Sequence, residues 1–241
     1  MKQLSKTEFF SLFSLVFGFI GLGLQIWMFS TADSQGLLLH GHISETLSFI
    51  ALAIVAGVNY VFLKIVNPKG EYTLLFPESP IAAAGCLFAA VGLCMSAFNT
   101  PAQGTLLYLL YVLGIMSGIV LIIAGFRRLQ GEQPNGLLYG VVTVYLIFRT
   151  LAFCQKWSAE VQIQTFFFPL LGSIFLLLTA YYRAELGADM GNCRRYLFFR
   201  HLALFCCLCS MAWGDWVFYL SSAAWVATDY CLPNFYGKYA V

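Results

Sequence analysis

Seven stretches of this sequence are long and apolar enough to cross a lipid bilayer, and that pattern leaves few folds open. A helix needs roughly 20 residues to traverse a hydrocarbon core of ~30 Å. The runs fall at about 9–29, 45–66, 81–98, 105–126, 137–155, 162–182 and 201–223. No water reaches the bilayer core, so a spanning backbone must satisfy its own hydrogen bonds, and runs of this length do so as helices. Turn and polar signals separate them: Asp33-Ser34-Gln35-Gly36, Asn67-Pro68-Lys69-Gly70, Asn99-Thr100-Pro101 and Gly131-Glu132-Gln133-Pro134-Asn135-Gly136. The expected fold class is all-α, a polytopic helical membrane protein of about seven transmembrane helices forming a single integral membrane domain over 1–241.

Composition agrees. Hydrophobic residues make up 60% of the 241 and charged residues 10%, against about 25% charged in an ordinary soluble domain. A water-soluble chain of this size has no core large enough to hide that much apolar surface, and the mean hydropathy is +0.79. With 13 Lys and Arg and a net charge of +2, no basic stripe exists to neutralise phosphates, so nucleic acid is excluded as a partner. The eight cysteines form no Cys/His zinc spacing. Cys206, Cys207 and Cys209 sit in an apolar stretch, where Cys behaves as a small hydrophobe.

Orientation follows from the distribution of Lys and Arg. With the N-terminus inside, the cytoplasmic segments hold Lys2, Lys6, Lys64, Lys69, Arg127, Arg128, Arg183, Arg194, Arg195 and Arg200, while the outer ones hold Lys156 and Lys238. This positive-inside asymmetry, alternating loop by loop, predicts an N-in/C-out protein of the cell membrane. Ser30-Thr31-Ala32 has the small residues of a signal-peptidase site. The preceding apolar run of about 21 residues, however, exceeds the usual 7–15 of a signal sequence, so the first helix is expected to be retained.

The seventh run is the ambiguous one. From Arg200 to Tyr230 the chain stays mostly apolar for longer than one span requires. A break at Gly214-Asp215, or an interfacial outer segment anchored by Trp225, absorbs the excess. Small residues four apart, such as Gly114 and Gly118 or Ser14 and Gly18, allow close helix approach in lipid.

Two charges lie inside the spans. Arg149 sits in the fifth, and an Arg near the bilayer centre costs roughly 2.5–3.5 kcal/mol on insertion scales. Ten Leu, Ile, Val and Phe residues between Leu137 and Phe153 each return about 0.3–0.6 kcal/mol, so the helix inserts, but its Arg needs a partner. Asp215 is the other. At 1.5 Å per residue, Arg149 lies about 18 Å past Leu137 and Asp215 about 21 Å past His201. The two are therefore expected at similar depth, as a pair or facing one polar cavity. One reading makes them a buried ion pair that registers two helices. The other makes them the floor of an outward-facing solute site, with the hydroxyls of Tyr145 and Tyr219 one turn away.

At the outer mouth, His40, His42 and Glu45, with Asp33 nearby, have a spacing that can converge on a metal. Solvated loop histidines are the plainer reading, and no metal site is assigned. Cys154 and Cys231 both fall outside in this topology and can pair in an oxidising compartment. On the cytoplasmic side, Tyr181 to Glu185 and Arg194-Arg195-Tyr196 mix basic and aromatic residues, which anionic headgroups attract.

Enzyme signatures are missing: no H-E-x-x-H, no second deep aspartate for an intramembrane protease, no central Lys in the seventh run. No enzyme activity and no cofactor are expected. The leading functional expectation is a small-solute transporter or membrane solute-binding subunit with its polar site at Arg149 and Asp215, working as a homo-oligomer or with a transporter partner. The alternatives are a seven-helix sensory or signalling protein acting through a partner, and a ligand-free accessory or scaffold subunit.

Overall fold

A computed structural model describes residues 6–31, 42–66, 78–99, 104–132, 136–157, 166–188 and 191–229. Among these the chain is helical throughout, with seven helices long and apolar enough to cross a membrane. They are α1 (Lys6–Ser30), α2 (Ile43–Val66), α3 (Pro80–Asn99), α4 (Thr105–Gln130), α5 (Gly136–Trp157), α6 (Phe167–Gly187) and α7 (Cys193–Ser210). A short 3-10 turn over Met211–Trp213 extends α7, and an eighth helix, α8 (Trp216–Thr228), follows it. The outward faces of α1 to α5 carry exposed Leu, Ile, Val and Phe, as lipid contact requires.

The seventh run therefore does not form one helix over 201–223. α7 begins eight residues earlier than expected, at Cys193, and stops at Ser210. The break falls at Gly214-Asp215, one of the two ways foreseen to absorb the excess length. Gly214 has φ 134, a backbone region L-residues avoid, and Asp215 caps the next helix. The chain then reverses. α8 runs back into the bundle beside α3, with Asp215 near Ser96 and Thr228 near Gly85. Its 13 residues give about 20 Å at 1.5 Å per residue, too short for a full crossing.

Close packing makes room for this returning helix. α3 reads PIAAAGCLFAAVGLCMSAFN, and its small residues let two neighbours approach. On one side, Gly114, Gly118 and Gly125 of α4 face Ala97, Cys94 and Ala83. On the other, a Cβ at Gly85 would land on the Thr228 hydroxyl, and one at Gly92 on the Ser221 hydroxyl. α7 is the central helix: Cys206, Cys207 and Cys209 are wholly buried in it among Leu and Phe side chains. The buried hydroxyls of Thr143 and Ser210 donate within their own helices, to the carbonyls of Tyr139 and Cys206.

Two ends of the bundle can be told apart. Lys64, Arg127, Arg128, Arg183, Arg194, Arg195 and Arg200 mark a basic end. α1 starts there, Phe10 stacking on Phe62 with centroids 3.5 Å apart. Asp229, just past α8, is there too, bonded to Arg183 and Tyr196. The described residues thus begin and end at one end of the bundle; the C-terminus, expected on the outer side, lies outside the described residues. The reversal at Gly214 brings the last of them back there. Helix limits at this end also moved outward: α4 runs to Gln130, and α6 lies at Phe167–Gly187 instead of 162–182. Arg127, Arg128 and Arg183 lie inside these helices and not past their ends.

Substitution of Gly92 by Val is expected to push α8 off α3 and to cost about 1–3 kcal/mol, the usual penalty of overpacking. Gly57→Val, at a glycine with open space around it, is the control and should be near neutral. Thermal unfolding of the two variants in detergent measures the difference.

Candidate functional site

The break between α7 and α8 leaves backbone groups needing partners and places Asp215 where they are. Its Oδ1 accepts from the Phe218 amide at 3.4 Å, capping α8, and an acid suits the positive end of a helix. Its Oδ2 receives Arg149 Nη2 at 2.8 Å and the Ser96 hydroxyl at 2.9 Å. Arg149 Nε donates to the same Ser96 oxygen at 2.8 Å, closing a triangle of Arg, Ser and Asp. Nη1 reaches Ser173 Oγ at 3.5 Å. The guanidinium lies over the ring of Phe218, 3.4 Å from its centroid, with Phe153 at 4.5 Å on another side.

This constellation ties α3, α5, α6 and α8 together, and it is closed. Arg149 is 0% exposed; the Asp215 side chain retains 11%. Tyr219 is buried with its hydroxyl donating to the Pro169 carbonyl at 3.1 Å, and lies 3.4 Å from Ser173 Oγ. Tyr145, one turn before Arg149, donates to the Leu93 carbonyl at 3.3 Å. All four residues singled out in the spans are thus brought together, but both hydroxyls are bonded to backbone rather than presented to a cavity. Ser96, Ser173 and Phe218 complete the setting. Small residues at matching depth carry no charge, so only the fold reveals them.

Beside the break, Trp213 Nε1 donates to Gln25 Oε1 at 2.8 Å, and Gln25 Nε2 donates to Ser48 Oγ at 2.9 Å. The turn is therefore fastened to α1 and α2 as well. Of the outer-mouth residues, His40 and Asp33 lie outside the described residues. His42 accepts from the Ser44 amide at 3.3 Å and lies edge-on to Trp27, while Glu45 sits in the first turn of α2. His42 therefore serves as a helix cap. Among the described residues no group of three or more His, Cys, Asp and Glu side chains converges as metal ligands would. Cys231, the expected partner of Cys154, lies outside the described residues.

A second buried ion pair, unforeseen, holds the other end of α8. Arg183 Nε meets Asp229 Oδ2 at 2.7 Å, and Tyr196 donates to the same oxygen at 3.0 Å. Arg200 donates to the carbonyls of Val226 and Ala227 at 2.7 and 3.1 Å. Its Nη1 also reaches Ser11 Oγ at 3.2 Å, and Ser11 lies 3.3 Å from His201 Nε2. Cations at a helix C-terminus satisfy its last carbonyls and oppose its dipole. Arg149, Arg183 and Arg200 are the largest fully buried side chains described. The signal in the sequence was Asp229 at the end of an over-long apolar run, 14 residues beyond Asp215.

Chemically, the Arg149 constellation fixes helices. Asp215→Asn keeps a capping side chain but leaves Arg149 buried without its counter-charge, and losing one member of a buried pair costs about 3–5 kcal/mol. Arg149→Met/Asp215→Asn removes both charges and is expected to recover most of that loss in thermal unfolding. Additive losses would contradict the coupling. No protein-family model, curated protein or solved structure matches this chain.

Proposed function

We propose that this multi-pass membrane protein is an accessory or scaffold subunit of the cell membrane, acting through what it contacts and not by carrying a solute past Arg149 and Asp215. Seven helices of spanning length support the membrane assignment. The observation that carries the finer reading is the complete burial of Arg149. Its guanidinium is buried among Ser96, Ser173, Asp215 and the rings of Phe153 and Phe218, so an anionic solute would have to displace bonds that hold four helices. The basic end is proposed to face the cytoplasm, since Lys and Arg gather on that side of membrane proteins.

A transporter or solute-binding subunit is the second reading. It draws on the break itself, because interrupted helices commonly frame solute and ion sites, and on the exposure of Gly214 beside the 11% retained by Asp215. A sensory role shares with the scaffold reading its need for a partner.

Water access separates the readings. Ser96→Cys and Ser173→Cys, each beside Arg149, should resist a membrane-impermeant maleimide in the folded protein and react after denaturation. Ser30→Cys, exposed at the same end, should react at once. Rapid labelling at position 96 or 173 in a variant of undiminished thermal stability overturns the sealed-site reading and restores the transport one.

A further inference from the structure

The chain reverses over Met211–Asp215, at the end of the bundle opposite the basic one, and this turn is held differently from the helices on either side. Met211–Trp213 form a single 3-10 turn, a tighter and less well bonded helix than the α7 it extends. Gly214 follows at φ 134, is exposed, and has nothing within 4 Å of where a Cβ would stand. Beyond it Asp215 is fixed by the cap of α8 and by Arg149. What holds the turn down is Trp213. Its Nε1 donates to Gln25 Oε1 at 2.8 Å, and its ring meets Phe29 edge-on with centroids 5.5 Å apart. Gln25 is wholly buried and is itself anchored, Nε2 donating to Ser48 Oγ of α2 at 2.9 Å. The Ser48 hydroxyl in turn donates to the Ser44 carbonyl at 2.8 Å. A buried acceptor is costly to strip of its donor, so the contact favours the closed turn.

We propose that Met211–Gly214 is a lid over the Arg149–Asp215 pair, hinged at Gly214 and latched by Trp213 to Gln25. The proposal rests on the sealed-site reading and names what does the sealing. Arg149 is 0% exposed, so the 11% kept by the Asp215 side chain is the part of the pair that reaches solvent, and it directly follows the hinge. Lifting the turn widens that opening towards Ser96, which bonds both charges. An exposed glycine at positive φ allows the rotation this needs, where a side chain would resist it. The latch shares no atom with the Arg149 constellation, so releasing it leaves the ion pair and the cap of α8 in place.

The test labels the full chain in nanodiscs with a membrane-impermeant maleimide and reads position 96 of Ser96→Cys by peptide mass mapping. Adding Trp213→Phe, which keeps a ring and loses the donor, should raise the labelling rate about tenfold, the effect of one buried hydrogen bond. Adding Gln25→Met instead should raise it by the same factor, and both together no further, because one bond is being broken. Ser30→Cys should label at its usual rate in every background. An unchanged rate at position 96, in a latch variant that keeps its unfolding temperature, overturns the lid. A double variant in which the two factors multiply overturns the shared latch. An equal rise at Ser117→Cys, buried on α4 and bonded to the Val141 carbonyl, reports general loosening and overturns the lid as well. Either latch variant decides alone if the other does not insert. Rapid labelling of Ser96→Cys with the latch intact sinks the sealed-site reading, and the ratio between that rate and the latch variant's still decides the lid.

Discussion

A helix that starts and stops inside a membrane protein leaves terminal amides and carbonyls with no water to bond. α8 is such a helix, and its ends are met by charge. Asp215 caps its first turn while Arg149 neutralises Asp215. Arg200 takes its last carbonyls while Arg183 neutralises Asp229. The remaining architecture follows from seating this segment. α3 is rich in Ala and Gly because α8 lies against it, α7 is the most enclosed helix because the chain doubles back over it, and Trp213 reaches Gln25 to pin the turn.

Much of this was legible in the residues, and the misses share a cause. Seven spans follow from run lengths alone, and the depth match of Arg149 and Asp215 follows from 1.5 Å per residue along two helices rising from the same end. The break at Gly214-Asp215 was visible as excess length. What could not be read was the direction taken after it, because apolar residues 216–228 look the same whether they continue outward or return. A Gly seam in α3 and hydroxyls at Ser221 and Thr228 matter only once those surfaces are known to touch. At the basic end, the Lys and Arg count places the arginines in cytoplasmic segments past the helix ends. Arg128, Arg183 and Arg200 are instead buried within helices, so α4, α6 and α7 extend past the expected limits. A count of charges locates a side of the membrane; it does not say which of them turn inward.

The two ends of the bundle differ in what they can do. Around Arg149 the polar groups are consumed by one another, leaving structure and little chemistry. At the basic end the buried network of Arg183, Asp229, Tyr196 and Arg200 is likewise occupied, and beside it lies a cavity between α2, α6 and α7 lined by Lys64, Arg194 and Arg195.

Cross-linking between α3 and α8 reads out the return of α8 into the bundle. Gly85 and Thr228 are in contact, so Gly85→Cys/Thr228→Cys in native membranes should form a disulfide under mild oxidation, identified by peptide mass mapping. If α8 instead continued outward from Gly214, position 228 would lie at the far side of the bilayer from position 85. The pair would then stay reduced, and Thr228→Cys would react with an impermeant thiol reagent from the side opposite Lys64→Cys. That result would contradict the account.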